Sequence, residues 1–350
     1  MVFVRSVDLS SFDKSLLATI QRSVPLVREP FAQLAAGIAC EESRVLERLA
    51  ALREGGVLRE VSGIFDVAAL GYAQALVAMR VAEPQADEAG RTAAEHPGVS
   101  HCYLRTGAYN LWLTLAVSPA SRLRLERTAE TLARLCGAET HLVLPALKRY
   151  KLHVRFGGEP SDVPPDEPPH EPRAKPAPNL TDEQRRAVRA LQIDLPATRD
   201  PFAKTAAAER LDPDALLVHA ADFLTVGWMR RYAAVLHHRR AGAAANVLAA
   251  WQTDAPDAAA RRFVAFPSVS HCILRPARKD WPYTLYTMVH GRDESNCRRT
   301  LAEMSAAPEL PPAPAATPNP AELWTLREFA KRRVSLFSAE EAAWDRAAGA

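Results

Sequence analysis

Apolar positions recur at helical spacing in three successive stretches near the start of the chain. These are Asp13 to Arg22, Pro30 to Gly37 and Cys40 to Arg53, the last carrying Val45, Leu46, Leu49 and Leu52 on one face. Gly55-Gly56 ends the third stretch. The spacing predicts a three-helix unit of the helix-turn-helix kind. Beyond it the period changes. Leu76 to Val81 reads as strand, Pro84 to Glu95 as helix, Val99 to Arg105 as strand and Asn110 to Val117 as an alternating strand. Pro119 to Leu135 is helix and His141 to Leu144 strand. The order βαββαβ is the ferredoxin-like split, so an α+β fold is expected.

The same order then repeats. Val99-Ser100-His101-Cys102-Tyr103-Leu104-Arg105 returns as Val269-Ser270-His271-Cys272-Ile273-Leu274-Arg275. Glu29-Pro30-Phe31-Ala32 pairs with Asp200-Pro201-Phe202-Ala203, and Ser62 to Gly71 lies opposite Ala233 to Gly242. Tyr109-Asn110-Leu111-Trp112 meets Tyr283-Thr284-Leu285-Tyr286. A repeat at domain spacing means two copies of one fold, and differences between them become readable as division of labour. The second copy's later elements are expected at Ala245 to Trp251, Pro256 to Phe266, Val269 to Arg275, Tyr283 to Val289 and Arg292 to Met304.

Two proline-rich runs punctuate the chain. The first, within 157–178, reads as a semi-rigid linker between the copies. The second, Pro308 to Pro320, is expected to replace the turn and strand that Ala138 to Pro145 form in the first copy. The boundaries expected from this pattern are helix-turn-helix units at 1–57 and 179–228 and ferredoxin-like domains at 58–156 and 229–338. At 350 residues, 48% hydrophobic and 24% charged, the chain has the composition of a multidomain globular protein. The five cysteines are scattered without a CxxC pair, which argues against a disulfide framework or structural zinc and suits a cytoplasmic setting. No run approaches the roughly 20 apolar residues of a membrane-spanning helix. A formal charge of +3 does not by itself point to a nucleic-acid or membrane partner.

A helix-turn-helix followed by a ferredoxin-like domain resembles the AsnC/Lrp architecture of bacterial regulators. The wording is closer to a subgroup of that architecture, the siroheme decarboxylases. The resemblance rests on Ser62-Gly63-Ile64-Phe65-Asp66, Leu70-Gly71-Tyr72, His96 to Arg105 and Tyr109 to Trp112 in the first copy. In the second it rests on Gly227 to Tyr232, His238-Arg239 and Asp280-Trp281-Pro282-Tyr283. It covers nearly the whole chain outside the proline-rich runs. The family works as two related subunits, here joined as in fusions of heme d1 biosynthesis. The resemblance implies a carboxy-lyase that removes the C12 and C18 acetate carboxyls of siroheme to give 12,18-didecarboxysiroheme.

Charge separates this reading from a DNA reader, which needs cations on its recognition helix. Arg44, Arg48 and Arg53 in the first copy are offset by Glu41, Glu42, Glu47 and Glu54, and Leu211 to Met229 holds no Lys or Arg. Two such unlike helices do not suit a symmetric operator, so no DNA partner is expected and the helical units read as packing or assembly modules. The cations gather instead in Arg230, Arg231, His237, His238, Arg239 and Arg240, where the first copy is nearly neutral. A solvated charge run is the ordinary meaning of such a cluster. Its asymmetry favours carboxylate contacts to a polyanion with eight carboxylates, which arginine forks grip bidentately.

Strand alternation places Val99, His101, Tyr103 and Arg105 on one face, and Val269, His271, Ile273 and Arg275 on the equivalent face. His101 and His271 are the candidate proton donors or substrate orienters, with a hydrogen-bonded core histidine as the competing reading. Tyr103, Arg105 and Arg275 are candidate substrate contacts. Cys102 and Cys272 fall on the opposite face as small apolar fillers. Trp112, Trp281, Tyr283 and Tyr286 suit stacking on a tetrapyrrole or, more often for aromatics in strands, a core. Asp66 suits either orienting a neighbour or a turn. The macrocycle supplies its own electron sink, so no separate cofactor and no resident metal are expected; the iron belongs to the substrate. Siroheme, a second copy of the chain or related subunits are the expected partners, and neither DNA nor a membrane. An amino-acid-responsive regulator and a non-catalytic heme sensor are the alternatives.

Overall fold

Each copy opens with the three helices that its apolar spacing predicts. The computed structural model describes residues 9–151, 178–236, 245–308, 310 and 318–348. The first copy runs α1 (Ser11–Arg22), α2 (Pro30–Gly37), α3 (Glu42–Glu54), β1 (Leu58–Phe65), β2 (Ala73–Arg80), α4 (Ala86–Glu95), β3 (Val99–Arg105), β4 (Leu111–Val117), α5 (Arg124–Leu135), β5 (Thr140–Pro145) and β6 (Lys148–Lys151). The second runs α6 (Asp182–Gln192), α7 (Pro201–Ala208), α8 (Pro213–Thr225), β7 (Met229–Leu236), β8 (Ala245–Trp251), α9 (Pro256–Phe263), β9 (Val269–Leu274), β10 (Leu285–Gly291), α10 (Glu294–Ser305), β11 (Ala321–Lys331) and α11 (Ala339–Ala348). Local chemistry sets the helix starts. Ser10 and Thr181 form reciprocal capping boxes with Asp13 and Gln184. Pro30 and Pro201 occupy the first turns of α2 and α7.

The elements sort into two units. The described residues of Met1–Tyr72, Lys175–Arg239 and Ser335–Ala339 form a helical unit, and those of Ala73–Ala174, Arg240–Val334 and Glu340–Ala350 a sheet unit. In the helical unit β1 and β7 pair antiparallel, with Ser62 opposite Ala233, Val61 opposite Ala234 and Gly63 opposite Tyr232. Corresponding residues of the two copies thus face each other across a local two-fold axis. The clamps around them repeat. Val24 N–H donates to the Tyr232 carbonyl at 2.7 Å, and Leu195 N–H to the Val61 carbonyl at 2.8 Å. Helix α1 packs on β7 and α6 on β1, so each copy's first helix covers the other's strand.

This pairing corrects the expected boundaries at 57/58 and 228/229. The strands at 58–65 and 229–236 belong with the helices, because each finds its backbone partners in the other copy's equivalent strand and not in the ferredoxin-like sheet. The ferredoxin-like parts begin with β2 and β8. The expected linker lies outside the described residues apart from Pro178.

The sheet unit holds nine strands in the order β5-β2-β4-β3-β11-β8-β10-β9-β6. β5-β2-β4-β3 and β11-β8-β10-β9 are the two ferredoxin-like sets. Strand β11 pairs with β8 over Ala321–Trp324 and then with β3 from Thr325 to Lys331. Likewise β5 pairs with β2, and β6, a few residues on, pairs with β9 of the second copy. Each copy's last strand is shared with the other. A strand therefore follows the second proline-rich run, where its loss was expected: the run precedes the fourth strand and does not replace it.

Three clusters form the core of this unit. One lies under α4 and α5, around Val77, Leu113, Leu115, Ala129 and Leu132; a second, around Trp251, Phe263, Val289 and Leu301, packs with α9 and α10. The third joins both copies through Trp112, Trp281, Tyr283, Tyr286, Leu144 and Leu323. Helix α11 is tied to the first copy. Glu341 accepts from Ser118 N–H at 2.8 Å, and Asp345 accepts from the Ser121 hydroxyl and Arg122 N–H just ahead of α5. Among the described residues no helix is long and apolar enough to cross a membrane.

Candidate functional site

The repeated histidines sit at a β-bulge in both copies. Val99 lies opposite Leu115 and His101 opposite Thr114, leaving Ser100 as the extra residue. In the second copy Val269 lies opposite Val289 and His271 opposite Met288, leaving Ser270. A bulge resets the alternation of side chains and is a common way to re-aim one at a site. It also corrects the expected faces. Val99 and Val269 pack with Cys102 and Cys272 in the cores beneath the helices, while His101 and His271 lie on the other face. Burial pushes the Cys102 thiol up to about 12 and the Cys272 thiol higher still, which fits apolar fillers.

On the first copy's face, His101 Nδ1 is 3.0 Å from Ser100 Oγ, and its ring centroid is 6.2 Å from that of Tyr103. Arg105 lies over the Tyr103 ring at 4.9 Å and donates from Nη1 to the Leu323 carbonyl at 3.0 Å. Burial lowers its pKa to about 10, and its Nε is buried without a hydrogen-bond partner. Burial and a hydrogen bond to the Glu328 carboxylate push the Tyr103 phenol up to about 12. Lys331 of β11 stands opposite His101.

The second copy repeats the plan with changes. Arg275 donates from Nη1 to the Leu144 carbonyl at 2.5 Å and lies 5.6 Å from the Tyr286 ring. Arg105 and Arg275 are thus matched pins, Arg105 crossing to β11 of the second copy and Arg275 to β5 of the first. His271 Nδ1 is 2.8 Å from Ser270 Oγ, and the same oxygen is 2.9 Å from His290 Nε2. Burial, then the cations of Lys331 and Arg105, lower His290 to about 4, so it is neutral near pH 7. His290, Ser270, Glu328 and Lys331 escaped the sequence reading. The signal for His290 was a lone histidine at a strand end, where the first copy has Ala116.

The other expected contacts fall elsewhere. Arg230 and Arg231 lie on β7 in the helical unit, where Arg230 pairs with Asp66 at 3.0 Å and Arg231 stands opposite Ile64. They belong to a different unit from His101 and His271. His237, His238, Arg239 and Arg240 lie outside the described residues. Asp66 fills both roles weighed for it: Oδ1 accepts from Ala68 and Ala69 N–H in the turn, and Oδ2 holds Arg230. Trp112, Trp281, Tyr283 and Tyr286 are buried in the shared core, with both indole N–H groups satisfied, Trp112 by the Tyr109 carbonyl and Trp281 by the Tyr286 hydroxyl.

Three arginines of α3 have partners within the chain. Arg48 is held by Asp13 at 2.8 Å, Arg53 by Asp194 at 2.8 Å, and Arg44 lies over Phe12 at 4.2 Å.

Residues 69–151 and 240–329 match the AsnC-like ligand binding domain, and residues 13–59 match the siroheme decarboxylase NirDL-like HTH domain. The chain is therefore a tandem protein of helix-turn-helix and AsnC-like ligand-binding parts. A siroheme decarboxylase of Hydrogenobacter thermophilus is 34% identical over 337 residues, covering 96% of this chain and 97% of its own. The siroheme decarboxylase NirDL subunit of Paracoccus denitrificans is 28% identical over 313 residues, covering 87% and 93%. The crystal structure of siroheme decarboxylase NirDL in co-complex with an iron-uroporphyrin III analogue superimposes with a TM-score of 0.76 at 30% identity, covering 97% of this chain and 98% of that one. The chain belongs to the siroheme decarboxylase family.

Proposed function

We propose that this protein is a siroheme decarboxylase, converting siroheme to 12,18-didecarboxysiroheme by loss of the C12 and C18 acetate carboxyls, in the biosynthesis of heme d1 or a related heme. The observation that carries this reading is the 34% identity along 96% of the chain and 97% of a relative that is itself a siroheme decarboxylase. The co-complex of the structural neighbour with an iron-uroporphyrin III analogue supports a tetrapyrrole as substrate. The engaged arginines of α3 speak against a DNA reader.

Loss of carbon dioxide from a pyrrole acetate leaves an electron pair on the methylene carbon, which the macrocycle delocalises. A proton then completes the methyl group. In this reading no separate cofactor is needed. His271 and His101 are the candidate donors, each with Nδ1 within hydrogen-bond distance of the adjacent serine; with the serine donating to Nδ1, Nε2 would carry the proton for the substrate. Tyr103, Arg105 and Arg275 are the candidate substrate contacts in the sheet unit; Arg230, Arg231, His237, His238, Arg239 and Arg240 are candidates for carboxylate contact by their charge alone. A second copy of the chain or related subunits complete the proposed partners.

Anaerobic incubation with siroheme, followed by mass spectrometry, tests the proposal. Loss of two carbon dioxide units per macrocycle is expected, and His271→Ala, still folded, is expected to lose most of the turnover. A Soret shift on titration with no mass loss would identify a heme sensor instead. Salt-sensitive, sequence-selective DNA binding without a tetrapyrrole response would identify a regulator.

A further inference from the structure

Ser270 Oγ lies between two imidazoles, 2.8 Å from His271 Nδ1 and 2.9 Å from His290 Nε2. When the hydroxyl donates to one of these nitrogens it accepts an N–H from the other, and when it donates to the Met288 carbonyl it accepts from both. The tautomers of the two histidines are thereby coupled. The Met288 carbonyl, 3.3 Å from Oγ, gives the hydroxyl a second acceptor.

The first copy provides an internal comparison. It has the same bulge, the same serine and the same contact, Ser100 Oγ to His101 Nδ1 at 3.0 Å. Strand register aligns Thr114 with Met288, so Ala116 occupies the place of His290. The corresponding backbone bonds agree, Ala116 N–H to the Gly98 carbonyl and His290 N–H to the Ser268 carbonyl, each at 2.9 Å. The bulge is therefore built without a second imidazole, and His290 is an addition peculiar to the second copy.

Resting on the decarboxylase reading, we propose that Ser270 and His290 are positioning residues that relay a proton to His271, and that this makes the second copy the better proton donor of the two. The step balances without any oxidant or reductant. The bond between the acetate methylene and its carboxylate carbon breaks, carbon dioxide leaves, and the electron pair stays on the methylene carbon and macrocycle. His271 Nε2–H protonates that carbon. The Ser270 hydroxyl proton passes to His271 Nδ1, His290 Nε2–H passes to Ser270, and His290 Nδ1 takes a proton from water. One solvent proton enters per carbon dioxide released.

The test uses the full chain with siroheme under anaerobic conditions. Ser270→Ala is expected to lower kcat about tenfold to a hundredfold, less than the hundredfold or more of full general acid catalysis because His271 itself remains, with KM and the Soret band on binding little changed. Ser270→Thr, which keeps the hydroxyl, is expected to stay within a few-fold of wild type. In mixtures of H2O and D2O, wild-type kcat is expected to show a curved dependence that becomes linear in Ser270→Ala. His290→Ala installs the residue the first copy has at this place, and keeps the question answerable if Ser270→Ala does not fold. Wild-type kcat in Ser270→Ala or His290→Ala, or equal loss in Ser270→Ala and Ser270→Thr, would overturn the relay alone. A wild-type chain that leaves siroheme intact would overturn the decarboxylase reading and the relay together.

Discussion

Replacing His96 with Asn is expected to flatten the pH dependence of stability between pH 7 and 5. His96 lies in the turn from α4 to β3, only 2% exposed, with Nδ1 accepting Gly98 N–H at 2.9 Å. Its ring meets the edge of Trp344 at 4.2 Å, and Arg332 donates to its carbonyl at 2.9 Å. Burial, with the nearby Arg332 cation adding to it and Asp345 opposing, lowers its pKa from 6.5 to about 4. Between those values the unfolded chain binds a proton that the folded chain refuses, so stability rises with pH. The contribution is fully present above pH 6.5 and drains away as pH falls toward 4. One such group costs about 2 kcal/mol on going from pH 7 to pH 5. Asn keeps an acceptor for Gly98 N–H and does not titrate. Losing the aromatic contact should lower stability at pH 7 by about 1 kcal/mol. Urea unfolding of both proteins at pH 7, 6 and 5 measures the difference at each pH, and all other titrations cancel in it. The two proteins should therefore draw together in stability, or cross, as pH falls. A difference that stays constant with pH would refute the reasoning.

Three further outcomes can be checked by the same unfolding measurements. A Cβ at Gly98 would sit 2.0 Å from the Ala116 carbonyl oxygen, so Gly98→Ala is expected to cost about 1–3 kcal/mol by forcing β3 and β4 apart; wild-type stability would contradict that contact. Asp194 accepts from Val61 N–H at 2.7 Å and from Arg53, so Asp194→Ala should destabilise the helical unit by about 1–3 kcal/mol, and an unaffected midpoint would discount the bridge. Leu115→Ala, at a fully buried site beneath the helices, should cost about 2–5 kcal/mol, and a smaller loss would mean the core collapses around the void.

Much of this architecture was legible because its causes are local. Helical spacing around Val45, Leu49 and Leu52, a proline at the start of α2 and α7, and paired glycines after α3 act within a few residues of themselves. The repeat at Val99 to Arg105 and Val269 to Arg275 likewise announced two copies and drew attention to His101 and His271. The site was less legible. The single extra residues at Ser100 and Ser270 break an alternation that looks unbroken in one dimension, so strict alternation puts Val99 and Val269 on the wrong face. His290 became a neighbour of His271 only because β9 and β10 pair in that shifted register.

The amino-acid order by itself determined the element sequence, the duplication and the residue types available for chemistry, since spacing, capping and turn preferences are settled between near neighbours. Only the tertiary structure decided that β1 pairs with β7, that β11 and the β5–β6 segment are shared between the copies, and that Arg105 and Arg275 reach across to Leu323 and Leu144. Strand partners distant in sequence are chosen by which edges remain open once the local elements have formed, and that competition leaves no periodic trace along the chain.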